Sequence, residues 1–555
     1  MKQFKSITFY FIFFPFLFSY AQWSGDTTLN NPICTTLDYQ INPISVTDAS
    51  GGAIIAWKDE RSTPYGYAIY IQKIDSNGTI QWTNNGIAIV TGLEDNKEPT
   101  LIADGAGGAI ITWEYRQVNG DFNIYAQRIN SNGAKIWGTN GVLICNANND
   151  QIHPNLVSDL NGGAIIAWTD NRNISTTDSD IFVQKINSTG TMQLATDGIP
   201  ISTAVNAQYK PLLVSDGNGG AILTWLDERN RFGPPGSSIK LYTQRINSDG
   251  LLQLTTNGIF IMFHNAIVPE IITDNNGGAI LVWESINNPQ FFITLLAQRI
   301  GQTGAKLWTD SGVIIDSYAT FDRKKPRVIS DNSGGAIITW YETRSTTDWD
   351  IYAQKINELG ATQWSTNGVV VSEAIDRQDT PTIATDGNGG AIITWEDRRS
   401  GTTFIFAQKI NDSGIVQWTS NGLLVSNKSP YGFGPEIISN NEGGAIITWT
   451  SGSLDGDIYA QQVNSSGSLS INTQDNALVE LKVFPNPAIN SITFQSKSSI
   501  SEIKICNEIG QVVYDEMAIK ANIKEINLSI LPVGIYYYLI TSDDFLKSNG
   551  KIIVH

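Results

Sequence analysis

The chain alternates short apolar runs with glycine-rich polar turns, and through its long central region apolar residues show no helical spacing. Runs such as Ala391-Ile392-Ile393-Thr394-Trp395 and Phe404-Ile405-Phe406-Ala407-Gln408 are rich in β-branched and aromatic residues. Asp, Asn and Gly bound them, which predicts strands joined by tight turns. The runs also recur. A Gly-Gly-Ala-Ile tetrad has its first glycine at 51, 107, 162, 219, 277, 334, 389 and 443, eight copies with a mean spacing of 56 residues.

Each copy reads as four strands. Strand a is expected to open at a proline (Pro43, Pro99, Pro154, Pro211, Pro269, Pro326, Pro381, Pro435) and to end at an Asp, as from Pro381 to Asp386. Strand b is the A-I-I-T-W segment, strand c the I-Y-A-Q-K-I type, and strand d runs from Gln-Trp to a Val/Ile end. Four strands in about 50 residues is the signature of a β-propeller blade. The expectation is therefore an all-β chain, an eight-bladed β-propeller over 22–467. Eight Trp close the b strands and five more open d strands, so they are expected in the core. Copy eight runs through Ile458 to Gly467 and lacks strand d, whereas Trp23 to Cys34 precedes copy one and reads as an orphan strand d. That segment is expected to complete blade eight and close the ring.

Strand parity makes the two faces different. The a–b and c–d turns are short, near-identical and share one face. The b–c and d–a loops are long, differ between copies, and share the other, which is where binding residues usually sit on a rigid frame.

Three candidate sets follow. An acid two residues after the strand-b Trp and an Arg two further on recur in five copies, with Asp59/Arg61 and Asp227/Arg229 typical. Repetition suits a structural clamp, and its position suits a polar ligand-binding ring. Tyr67, Phe122 and Trp349 stand two residues before the strand-c Ile in three copies and would stack on a sugar or anchor a protein partner. Single-copy acids such as Glu94, Asp95, Glu270 and Asp348 break the repeat. An enzyme on this frame would need such carboxylates to converge.

Composition narrows the classes. Lys plus Arg is 36 against 53 Asp plus Glu, a net charge of −17, which argues against nucleic acid and anionic lipid as partners. Three Cys and three scattered His supply no zinc set, no disulfide framework and no Ser-His-Asp or Cys-His triad. No catalytic residue, metal or cofactor is expected. Lys2 and Lys5, the apolar run 7–18 and Ser19-Tyr20-Ala21 read as a secretory signal over 1–21, cleaved after Ala21. No other apolar run approaches 18 residues, so no transmembrane segment is expected in the mature chain.

After a linker over 468–479, residues 480–555 read as a second all-β unit, a small C-terminal β-sandwich of about seven short strands. Val483-Phe484-Pro485-Asn486-Pro487, Ile509-Gly510-Gln511-Val512-Val513, Leu531-Pro532-Val533-Gly534-Ile535-Tyr536 and Lys551-Ile552-Ile553-Val554 occur in order. This unit resembles the type A sorting domain of the type IX secretion system of Bacteroidota, with Phe484 where Tyr is frequent. The resemblance implies export through that machinery as a partner, and a secreted or outer-membrane-surface location. It makes Phe484, Pro485, Asn486, Pro487, Gly510, Leu531, Pro532, Gly534 and Tyr536 the sorting signal. The expected function is a secreted or surface binding or adhesion protein whose variable face takes a glycan or a surface protein. The alternative is a polysaccharide-degrading hydrolase or lyase on the same scaffold.

Overall fold

The computed structural model describes residues 23–469 and 481–555, except the short stretches 62–65, 92–94, 117–119, 232–238, 263–264, 287–292, 317–321, 345–347, 428–431, 453–455, 508–510 and 543–546. The signal segment, most of the linker, Glu94 and Gly510 lie outside the described residues. The chain divides into two compact units at Ser470.

The first unit is an eight-bladed β-propeller. Eight antiparallel four-stranded sheets follow one another, and in seven of them the strands pair in chain order a-b-c-d. The eighth sheet takes its a, b and c strands from Gly432–Ser439, Ala445–Ser451 and Asp457–Val463, and its fourth strand from Asn31–Cys34. Asn31 pairs with Ala460 and Pro32 with Tyr459, so the ring closes as expected through the N-terminal segment. Each strand a contacts the strand a of both neighbouring blades all the way round, including blade 1 against blade 8. The a strands therefore form the innermost ring, around a central channel.

Strand a departs from its expected start. In blade 7 it spans Gln378–Thr385, with Pro381 at its fourth position. The register slips across the proline in every blade, between Asp379 and Thr382 here. Each proline thus sits in a bulge, where its missing N–H leaves no ladder bond unmade. The residue before it takes positive φ in all eight copies, from +43° at Glu98 to +62° at Gly434.

Strand b carries the core. All seven residues of Ala164–Asp170 are buried, as a strand packed between two blades requires. The strand-b Trp stacks on the strand-c aromatic where there is one: Trp57 lies 6.2 Å from Tyr70 at 22°. The glycine opening strand d gives that indole room. A Cβ on Gly86 would stand 2.4 Å from Trp57, and its φ is +89°. Strand d is shorter than expected: in blade 1 it is Ile87–Val90, so Trp82 lies ahead of it in the c–d connection. From there Trp82 Nε1 donates to Ser131 O and Trp137 Nε1 to Ser188 O, each at 3.1 Å, and these bonds lock the next blade.

The second unit has five strands, Lys482–Phe484, Ser491–Asn507, Val512–Asn527, Gly534–Ser542 and Lys547–Val554, joined in one hydrogen-bonded sheet. The expected seven become five because two strands are long. The polar stretch 496–499 is an irregularity within one strand, where the register slips between Gln495 and Ile500. Ile492, Phe494, Ile503, Ile505, Ile540 and Ile552 form its core.

Candidate functional site

The acid–arginine pairs are turned into the blades. Asp59 Oδ2 accepts the Trp57 indole N–H at 2.8 Å, and Oδ1 accepts from Arg61 N and Nε at 3.0 and 2.8 Å. The Arg61 guanidinium lies 4.0 Å from the Tyr70 ring centroid and donates to Asn85 O and to Cys34 Sγ on the neighbouring blade. Asp227 and Arg229 repeat this with Trp225, Tyr242, Asn257 O and Ser202 Oγ. Both carboxylates are fully buried, with each oxygen engaged by donors of the chain itself. Blades 2, 5 and 8 have no such acid, and there the buried Trp113, Trp283 and Trp449 indole nitrogens find no partner among the described residues. Burial pushes the Cys34 thiol up, and pushes Cys145 up to about 12.

Tyr67, Phe122 and Trp349 are half-buried at the variable-loop face, and each carries at least one cation on its ring. Lys58 Nζ lies 5.3 Å from Tyr67, and Arg116 lies 4.6 Å from Phe122. Trp349 stacks on Tyr341 at 4.8 Å and 18°, and Arg377 lies 3.8 Å from its centroid. A ring with these neighbours stacks on a sugar only after one of them moves.

The structure draws attention to positions that periodicity alone did not single out. The eight left-handed residues before the prolines stand near the start of the innermost strands, so they ring the channel mouth on the variable-loop face. Four are titratable: Glu98, His153, Lys210 and Lys325. The other four are Asn42, Val268, Thr380 and Gly434. Glu98, Lys210, Val268, Lys325 and Asn42 are exposed. His153 is held below the usual imidazole range by burial and by Lys210, with Glu98 opposing, so blades 2, 3 and 4 share one electrostatic patch.

In five of the eight copies the backbone N–H of the left-handed residue is held from the preceding blade. His153 N donates to Glu114 Oε1 at 2.6 Å, Lys325 N to Glu284 Oε1 at 2.7 Å and Gly434 N to Glu396 Oε1 at 3.0 Å. Lys210 N donates to Thr169 Oγ1 and Asn42 N to Thr450 Oγ1. Each acceptor is the residue directly after the strand-b Trp. Burial raises the carboxyls of Glu114, Glu284 and Glu396, Glu114 to about 7. Just inside the mouth, the residue after the proline is Glu270, Arg327 or Glu436 in blades 5, 6 and 8, and uncharged in the others. Among the described residues, no group of three or more His, Cys, Asp or Glu is placed to hold a metal, and no helix is long and apolar enough to cross a membrane.

The sorting-motif residues hold their own unit together. Asn486 Nδ2 donates to Lys551 O at 2.7 Å and its Oδ1 accepts from Ile553 N at 2.9 Å, tying the Pro-Asn-Pro segment to the last strand. Tyr536 Oη donates to Pro532 O at 2.8 Å, which braces the Leu-Pro-Val-Gly turn. Phe484 is exposed.

Residues 482–555 match the family described as secretion system C-terminal sorting domain. The C-terminal unit is that domain. It marks the protein as type IX secretion cargo, secreted or displayed at the cell surface. No curated protein matches the chain. Among solved structures, an ulvan lyase described as a new family of polysaccharide lyase is 11% identical, with a TM-score of 0.43 over 80% of this chain and 97% of that one. An endo-arabinase from Bacteroides thetaiotaomicron is 12% identical, with a TM-score of 0.28 over 58% and 95%. PorZ, a surface component of the type IX secretion system of Porphyromonas gingivalis, is 9% identical, with a TM-score of 0.27 over 93% and 82%. These likenesses are too remote to transfer a substrate or a site.

Proposed function

We propose that the propeller is an exported binding protein that takes its ligand at the channel mouth on the variable-loop face. One observation carries this reading. A repeated frame holds one residue per blade in a left-handed conformation at the mouth, yet the side chains displayed there are Asn, Glu, His, Lys, Val, Lys, Thr and Gly. Strained residues on a rigid frame, with identities that change round the ring, suit recognition better than support. Tyr67, Phe122 and Trp349, with their cations, stand on the same face and form the outer part of the surface. The ligand class is a glycan or a surface protein.

Retention of the full chain on insoluble polysaccharides, a glycan array and outer-membrane proteins tests this. The Glu98→Ala/His153→Ala/Lys210→Ala/Lys325→Ala variant should lose retention while unfolding at the wild-type temperature. Equal retention of variant and wild type sinks the mouth as the site. A second reading, polysaccharide cleavage, has one observation in its favour: Glu270 and Glu436 face a shared channel, and Glu436 is pushed up to about 7. New reducing ends in the same incubations, absent with Glu436→Gln, would establish it.

A further inference from the structure

Inside the mouth the channel wall is asymmetric in charge. Arg327 Nη1 donates to Glu270 Oε1 across the boundary of blades 5 and 6, and that pair neutralises itself. Glu436, on blade 8, is left over. Its carboxylate faces the pair electrostatically, with Arg327 favouring its charge and Glu270 opposing it. No described residue gives it a hydrogen bond or an ion pair. The flanking wall positions, Thr382 and Ile44, are uncharged, as are Thr380 and Asn42 at the mouth above them. Gly434 leaves the wall open over Glu436, since a Cβ built there would meet nothing within 4 Å. Below, the same strand presents half-buried Ile438.

A half-buried carboxylate to which no described residue donates keeps part of its desolvation cost, which a cationic donor relieves. The space offers one anionic residue, neutral flanks and an aliphatic wall. That combination fits a compact group with several N–H donors on a short apolar stem. We propose that this quadrant of the channel, with Glu436 as its anion, binds a primary alkylammonium group. The group arrives as a free amine or as the lysine side chain of a peptide. The proposal does not depend on what the mouth binds, because the four titratable mouth residues take no part in it.

Calorimetric titration of the full chain at pH 8 tests it. The probes are n-butylammonium chloride, Nα-acetyl-lysine methylamide, and n-butanol and potassium chloride as controls. Saturable binding of an ammonium probe is expected, with a dissociation constant of about 1 mM or below, and none of n-butanol or potassium. Glu436→Gln should weaken it about tenfold or more, with an unfolding temperature at pH 8 no lower than that of the wild type. The four-residue mouth variant should bind the amine as the wild type does. Binding by n-butylammonium alone identifies a free amine as the source, and binding by the lysine derivative alone identifies a peptide side chain. The proposal is overturned if neither ammonium probe saturates, if n-butanol or potassium binds equally, or if Glu436→Gln binds as the wild type. The wild-type comparison decides the matter even if the variant does not fold.

Discussion

The indole N–H of Trp23 donates to the carbonyl oxygen of Ser76 at 2.8 Å, and Trp23 is almost fully buried. This is the bond that Trp82 makes to Ser131 and Trp308 makes to Glu358, one blade clamped to the next. Trp23 therefore acts as the strand-d Trp of blade 8, and the clamp reaches across the point where the ring closes. Trp23→Ala removes a large buried side chain and this bond together. It should cost about 3–5 kcal/mol, read as a lower urea midpoint for the propeller transition. Trp418→Ala, on a more exposed indole within the ring, should cost less. Equal losses would mean that closure carries no special share of the stability.

Glu114 gives the stability a pH dependence of predictable sign. Its carboxyl is raised from 4.5 to about 7, mainly by burial, while it accepts the His153 N–H. A carboxyl raised on folding stabilises the fold fully below its unfolded value. That contribution disappears as pH rises through about 7. The window is therefore pH 4.5 to 7, and the amount is about 3 kcal/mol from this residue. Glu114→Gln keeps an acceptor for His153 N–H and removes the charge. It should be more stable than wild type at pH 8 and nearly equal at pH 4.5, in urea melts at the two pH values. Glu114→Leu should be less stable at pH 4.5, because the N–H loses its acceptor.

Much of this architecture was legible because the repeat states it eight times. The strand count, the core Trp, the closing strand and the two unlike faces all follow from positions that do not change between copies. The candidate site was harder to see for the same reason. Its residues occupy a column where the copies disagree, next to a proline that reads as a strand start and in fact sits in a bulge. Glu114 and Thr169 share no residue type, so their common role as acceptors for the next blade appears only when that blade is in place. The convergence of Glu270, Arg327 and Glu436 belongs to the closed ring and has no trace in sequence spacing. Asp59 and Asp227 were visible as a pattern, but their complete burial was not.

Val268 tests whether the mouth is strained. A β-branched residue at φ +48° is a steric outlier, and in the preceding blade the position after the Trp is Leu226, which offers its backbone no side-chain acceptor. Val268→Gly relieves about 1–3 kcal/mol of strain and adds about 0.5–1 kcal/mol of unfolded-state entropy. The net expectation is a stabilisation of about 1 kcal/mol, measured as a raised urea midpoint. Asn42→Gly should change little, because Asn tolerates the left-handed region. Destabilisation by Val268→Gly would show that the side chain packs usefully at the mouth.

Asn486 links the sorting motif to the fold of its own unit. Asn486→Ala loses the bonds to Lys551 O and Ile553 N at an exposed site, a cost of about 1–2 kcal/mol. Phe484→Ala removes an exposed side chain and should leave stability unchanged. If the machinery reads the surface of the domain, Phe484→Ala should lower the exported fraction more than Asn486→Ala. Fractionation of cells into periplasm and medium gives the comparison. The reverse order would mean that export responds to the stability of the domain and not to its exposed motif.

A clamp and a ligand site at Asp227 respond differently to substitution. Asp227→Ala leaves the Trp225 indole N–H and the Arg229 guanidinium without their buried carboxylate. Breaking one side of a buried pair should cost about 3–5 kcal/mol. Asp227→Leu with Arg229→Met removes both charges and keeps apolar volume against Tyr242, so its cost should be smaller than that of Asp227→Ala alone. A clamp predicts that the double variant, once folded, still binds whatever the wild type binds. Loss of binding in a double variant of near wild-type stability would return Asp227 and Arg229 to the ligand surface. The complete burial of Asp227 and the pair's bonds to Trp225, Ser202 and Asn257 argue for the clamp.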